Sequence, residues 1–238
     1  MVKKIIKHAA ILFVLSISPA MAALEESYDS GEPLAVTAWY ERAGAEARAA
    51  DQEFIDGMRP HHAGALTMSA EYLQDSGAIN ATLMQLARGI IHNQTFEIGM
   101  LDTVEGYLHD ESDQAYQQVA ARDLAQRQQF YRAPMPGPLD AMAGPRDIST
   151  RDVQFAKAMI IHHQAALDMA HDYLRNPAAR NGYLELMCID ILLDQKQEIA
   201  LMKSVIDDYP GDANAITIDS SMVHGMDHMA HGMGHSGH

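Results

Sequence analysis

Apolar positions recur every three to four residues along four long stretches of this chain, and none of those stretches alternates with the period of a strand. At 100° per residue, Phe54, Met58, His61, Ala65, Met68 and Tyr72 share one narrow face, widened on one side by His62, Leu66 and Leu73. The stretches end at residues that stop helices: Asp75-Ser76-Gly77, Asn176-Pro177 and Tyr209-Pro210-Gly211. Ser149 followed by Asp152 is the signature of a capping box. The pattern predicts helices over about 51–75, 78–109, 149–175 and 180–209, with room for a further short helix within 34–50. Pro60 falls inside the first helix, where it removes the hydrogen bond to Asp56 and is expected to produce a kink.

The stretches are related in pairs. Phe54 to Leu73 and Phe155 to Leu174 share Phe, Met, His, His, Ala, Leu, Met, Tyr and Leu at identical spacing. The register continues without a gap, matching Leu83 with Leu184, Ile90 with Ile191, Gln94 with Gln195, Glu97 with Glu198, Ile98 with Ile199 and Val104 with Val205. A gapless match of this length reads as a duplication, with repeats at 54–104 and 155–205. Short loops within each repeat make its two helices antiparallel, while the irregular connection Ala133–Pro145 lets one hairpin dock on the other. The expected fold is all-α: a four-helix bundle over 51–209 built from two duplicated hairpins with pseudo-twofold symmetry.

Polar residues interrupt the apolar stripes at repeated places. Gln94 and Glu97 share a face with Ile90, Ile98 and Leu101, as Gln195 and Glu198 do with Ile191, Ile199 and Met202. Buried there, a Gln or Glu loses hydration and needs a partner. The neighbouring helix offers His61 and His162, on its own apolar face, as those partners, within the sets Met58, His61, His62 and Met68 in one repeat and Met159, His162, His163 and Met169 in the other. Imidazoles and thioethers on successive turns of one face suit a soft metal ion, with Gln94, Glu97, Gln195 and Glu198 placed to orient them. A core in which these groups only hydrogen-bond one another is the alternative. His62 and His163 lie at the stripe's edge, where an outer or exposed position is expected. His92, His109 and His171 fall off the stripe or lack a counterpart and should face solvent. Cys188, the single cysteine, is expected to be a small buried apolar residue.

Composition narrows the function. Lys and Arg number 17 against 32 Asp and Glu, a net charge of −15, which argues against nucleic acid and suits cations. Lys3, Lys4 and Lys7, the apolar run Ala9–Ile17 and Ala20-Met21-Ala22 read as a secretory signal peptide over 1–22. Cleavage after Ala22 leaves an N-terminal segment 23–50 and a periplasmic or secreted chain without a membrane span. Past the bundle, 210–238 reads as a flexible tail. From Met222 to His238 it holds Met222, Met226, Met229 and Met233 interleaved with His224, His228, His231, His235 and His238. Thioethers select Cu(I) or Ag(I), whereas imidazole also takes Cu(II), Zn and Ni. An oxidising compartment favours Met over Cys as the soft ligand.

The pattern F-x3-M-x2-HH-x2-A-x2-M followed by Q-x2-EI resembles the exported bacterial four-helix family that includes the CopM-type periplasmic copper-binding proteins. The resemblance spans both repeats, about 51–209. It implies a ferritin-like bundle, copper bound through Met58, His61, His62, Met68, Met159, His162, His163 and Met169, and a role in copper tolerance. The leading expectation is a non-enzymatic protein that sequesters Cu(I), and also Cu(II), or passes it to a copper exporter or chaperone. A dinuclear iron or manganese oxidoreductase is the second reading, although Glu-x-x-His pairs are missing from these stripes. A structural bundle with a metal-scavenging tail is the third.

Overall fold

The computed structural model describes residues 44–109, 129–137, 147–179 and 181–226. The expectations for the signal peptide, for 23–43 and for 227–238 lie outside them. Four long helices carry the fold: α1 (Ala45–Gln74), α2 (Ala81–Leu108), α3 (Thr150–Arg175) and α4 (Gly182–Asp207). Two single-turn 3-10 helices follow, Ala213–Ala215 and Ser220–Met222. Among the described residues there is no strand, and no helix is long and apolar enough to cross a membrane. The short helix expected within 34–50 proves, over 45–50, to be the first turns of α1.

Helix starts follow local chemistry. Asn80 caps α2 by accepting from the Leu83 amide, and Asn181 caps α4 by accepting from Tyr183 and Leu184. Ser149 and Asp152 form the reciprocal capping box foreseen at the start of α3. α1 runs through Pro60 as one helix.

Each hairpin packs along its own length, α1 on α2 and α3 on α4, and the two hairpins meet where α1 lies against α3. α1 and α3 run antiparallel: Phe54 meets Tyr173 with ring centroids 4.7 Å apart, and Tyr72 stacks on Phe155 at 4.0 Å. Both contacts are locked by buried hydroxyls. Tyr72 Oη donates to Asp152 and Tyr173 Oη donates to Asp51, each at 2.6 Å. Asp152 also accepts from the backbone amides of Ile79 and Asn80, and Asp51 from the Asn181 side chain.

The apolar core is split into two clusters, each fed by all four helices. One gathers Phe54, Ile55, Met58, Leu101, Tyr173, Leu184 and Met187, among others. The other gathers Ala65, Met68, Tyr72, Leu83, Ile90, Phe155, Met159 and Met202. Between them, at mid-height of every helix, lies a belt of buried polar side chains: His61 and His62, Gln94 and Glu97, His162 and His163, Gln195 and Glu198.

Beyond α4 the chain turns back over the bundle. Lys157 Nζ donates to the carbonyls of Ala213 and Ile216 at 2.6 and 2.8 Å, and Ile218, Met222 and Val223 pack on the second apolar cluster. The free tail expected from residue 210 is therefore revised over 210–226, a strap laid across α3 and α1. The reason is physical: Ile218, Met222 and Val223 are scattered apolar anchors that no period reveals.

Candidate functional site

The centre of the belt is the crossing of α1 and α3. His61 Nε2 donates to the His162 carbonyl at 3.1 Å, and His162 Nε2 donates to the His61 carbonyl at 3.0 Å. Their rings lie against each other with centroids 3.7 Å apart and planes tilted by 33°. Each carbonyl can only accept, so each Nε2 carries the proton and each Nδ1 is left with its lone pair. Burial, and then the neighbouring imidazoles, push both rings well below the ordinary histidine range, His162 to about 3. At neutral pH both are uncharged, as a metal-binding imidazole must be.

His62 and His163 flank this pair at ring distances of 6.2 and 6.1 Å. The sequence placed them at the edge of the stripe. Both are fully buried, because α2 and α4 close over that edge. His62 Nε2 stands 2.9 Å from Glu97 Oε2, and His163 Nε2 stands 2.7 Å from Glu198 Oε2. The approaches are short but not aligned as hydrogen bonds. Facing a carboxylate, each Nε2 carries the proton, which again leaves Nδ1 as the lone-pair atom. The carboxylates of the belt thus answer His62 and His163, not His61 and His162 as the stripe suggested.

The halves differ in one partner that sequence reasoning missed. Arg132, from the connection between the hairpins, reaches Glu97 at 2.8 Å, Asp190 at 3.2 Å and Asp194 at 2.6 Å. The segment is pinned by Ala133 N donating to Asn93 Oδ1, by His92 Nε2 bonding the Tyr131 carbonyl, and by Phe130 stacked on Phe96. Burial drives the Glu97 carboxyl up, but His62 and Arg132 outweigh it and hold Glu97 below the ordinary carboxylate range. Asp194 moves the other way, raised mainly by burial. Arg132 lies in an irregular segment with no repeat counterpart among the described residues, so no periodic signal marked it. The Asp51–Tyr173 and Asp152–Tyr72 ties were visible in principle, since all four residues recur in the repeat register.

The four core methionines are shared across helices. Met58 of α1 lies in the cluster against which Met169 of α3 packs, while Met68 of α1 and Met159 of α3 meet in the other. Met58 precedes His61 and His62 by three and four residues, so it adjoins them on the helix surface, and Met159 stands likewise to His162 and His163. His92 and His109 are exposed and His171 is partly so, and Cys188 is fully buried, all as expected. Of the tail ligands, Met222, His224 and Met226 are described, and His224 Nε2 lies 3.2 Å from Glu71 Oε2. His228, Met229, His231, Met233, His235 and His238 fall outside the described residues.

Eight buried side-chain atoms of the belt have no aligned hydrogen-bond partner. Two of them, Nε2 of His62 and His163, face a carboxylate, and the other six are Nδ1 of His61, His62, His162 and His163, and Oε1 of Gln94 and Gln195. Each atom has its counterpart in the other repeat. All six are electron-pair donors, and a dry, unpartnered donor costs about 1–3 kcal/mol. Among the described residues, no three His, Cys, Asp or Glu side chains are grouped as a ready-made ion site. An ion in the belt would therefore draw on at most two imidazoles, with Met or Gln completing its shell.

Comparison with known proteins adds a family. The family described as Domain of unknown function (DUF305) matches residues 51–206, and matches a second time over 152–236. No curated protein and no solved structure matches the chain. The first match covers more than half of the residues, and the chain belongs to the DUF305 family.

Proposed function

We propose that this member of the DUF305 family is an exported, non-enzymatic copper-binding bundle. It sequesters copper, or passes it to an exporter or chaperone, taking Cu(I) in preference to Cu(II). The observation that carries the reading is the set of buried imidazole Nδ1 atoms that lack partners while their Nε2 atoms face fixed acceptors. A histidine held at one nitrogen by a carbonyl or carboxylate and free at the other is the usual arrangement of a metal ligand. Met58 and Met159, one turn away and fully buried, supply the soft donors that favour Cu(I). The tail of alternating Met and His fits the same chemistry, as does the acidic charge of the chain. The second family match begins 101 residues after the first, in register with the sequence repeat, which supports a duplicated hairpin. The ferritin-like architecture, the kinship with CopM-type proteins and the role in copper tolerance belong to this proposal. So does the periplasmic or secreted location.

The test is a competition titration of the full mature chain with Cu(I), alongside a variant carrying His61→Gln and His162→Gln. The variant should lose at least tenfold in affinity for its tightest equivalents. In the ¹⁵N spectrum of histidine side chains, the Nδ1 signals of the native belt should move on metal addition while the Nε2 signals move less. Unchanged affinity in the variant, with unmoved belt signals, overturns the reading. A second reading, a structural bundle with a scavenging tail, draws on the belt's internal Nε2 contacts and would then stand. The dinuclear oxidoreductase is less well supported, because Glu97 and Glu198 are turned to His62 and His163.

A further inference from the structure

The strap does more than cover the bundle. It crosses α1 at the turn Pro60–Gly64, and the fit is tight. A Cβ at Gly64 would lie 2.6 Å from the His224 carbonyl oxygen and 2.8 Å from the Gly225 amide nitrogen. Gly225 has φ +74, a conformation that favours glycine, and a Cβ there would lie 2.7 Å from the Pro60 carbonyl oxygen. In the second repeat the positions of Pro60 and Gly64 are Ile161 and Ala165. A glycine inside a helix costs about 1 kcal/mol against alanine. The first repeat carries that cost at the one place where the strap needs the room.

The crossing encloses a cavity of about 280 Å³ whose lining includes Met68, Glu71, Arg151, Phe155, Met222 and His224. Three of these are metal donors brought together from two distant segments, Met68 from α1 and Met222 and His224 from the strap. Glu71 Oε2 lies 3.2 Å from His224 Nε2, which directs the proton there and leaves Nδ1 as the donor atom. Arg151 is committed elsewhere, with its Nε 2.8 Å from Asp75 Oδ2 and its guanidinium over the Tyr72 ring. Two thioethers and one imidazole favour a soft monovalent ion, and hard divalent ions would find too few oxygen donors.

We propose that Met68, Met222 and His224, with Glu71 holding the imidazole, form a composite site for a soft monovalent metal ion, closed by the strap over α1. It rests on the soft-metal reading of the chain but not on the belt, since none of its donors lies there. The site sits against α1, with Met68 two turns beyond His61.

Ag(I), which does not change valence, is the probe, added to the full mature chain labelled with ¹³C at the methionine methyls. Met68 and Met222 should shift together with one equivalent of Ag(I), with the ¹⁵N signal of His224 Nδ1. Gly64→Ala keeps every donor but lifts the strap, and should weaken that equivalent at least tenfold and uncouple the two methyls. Should Gly64→Ala fail to fold by circular dichroism, Met68→Leu and His224→Gln on the native backbone decide the matter, each expected to weaken the equivalent at least fivefold. A Met222 shift without Met68, or unchanged affinity in both of these variants, overturns the composite site. Failure of the belt reads out separately, as silent Nδ1 signals of His61 and His162 while Met68 and Met222 still respond.

Discussion

Glu97 and Glu198 hold equivalent places in the two repeats but keep different company. Glu97 has His62 and Arg132, whereas His163 is the partner of Glu198 among the described residues. Removing His62 leaves Glu97 with Arg132, while removing His163 leaves Glu198 without a side-chain partner among the described residues. His163→Ala should therefore destabilise the metal-free protein more than His62→Ala, by about 1 kcal/mol, in urea unfolding. Arg132→Met removes the cation that Glu97, Asp190 and Asp194 share and should cost about 2–3 kcal/mol. Glu97→Gln in that background should recover part of the loss, and simple additivity of the two changes would refute the pairing. The doubled HH was legible as a repeated element of the candidate site. Which histidine of each pair meets the carboxylate was not, because adjacent residues stand only 100° apart and both fall near the stripe. The angle at which α2 closes on α1 decides it, and no single helix encodes that angle. Arg132 was invisible for another reason: a lone arginine in an irregular segment has no pattern to stand out from.

At the scale of elements, Asp152 is a hub. It completes the cap of α3, receives the Tyr72 hydroxyl and satisfies two amides of the turn before α2. Asp152→Ala removes all of these at once and should cost about 3 kcal/mol or more, read as a fall in urea midpoint without change in slope. Ser149→Ala, which removes the capping hydroxyl, should cost only about 1 kcal/mol. Helix existence was plain from the period of three to four, and most ends fell within a few residues because Ser149 announces itself as a cap and Asp75-Ser76-Gly77, Asn176-Pro177 and Tyr209-Pro210-Gly211 stop helices. The start of α1 was missed by six residues, since Gly44 offers no side-chain cap. The strap was hidden by its own composition, because Gly, Asp and Ser in 210–226 read as a free tail. Deletion from residue 210 should lower the unfolding temperature more than deletion from residue 227, because the first uncovers Phe155 and Met68. Equal temperatures for the two truncations would show that the strap does not hold.

For the molecule as a whole, the belt couples folding to protons. Unfolded, an imidazole binds a proton near pH 6.5, whereas His162 in the fold resists until about pH 3. Between those values the unfolded chain holds more protons, so stability of the metal-free protein rises with pH across that window and is lost as pH falls through it. The slope is about 1.4 kcal/mol per pH unit for each such histidine, and His61 adds to it in the same direction. Unfolding free energies measured from pH 4 to 6 should show the rise, and His61→Gln with His162→Gln should flatten it. A native slope no steeper than the variant's would remove the explanation. The close contact of the His61 and His162 rings has one more consequence. A repeat ordinarily suggests two equal and independent compartments. Here His61 and His162 meet where α1 crosses α3, with their imidazoles 3.7 Å apart at the ring centres. A cation held by one ring places its charge against the other, and the first occupant discourages the second. If both rings take a metal ion, the protein would then fill in unequal steps, behaving as a single receptor with an anticooperative reserve.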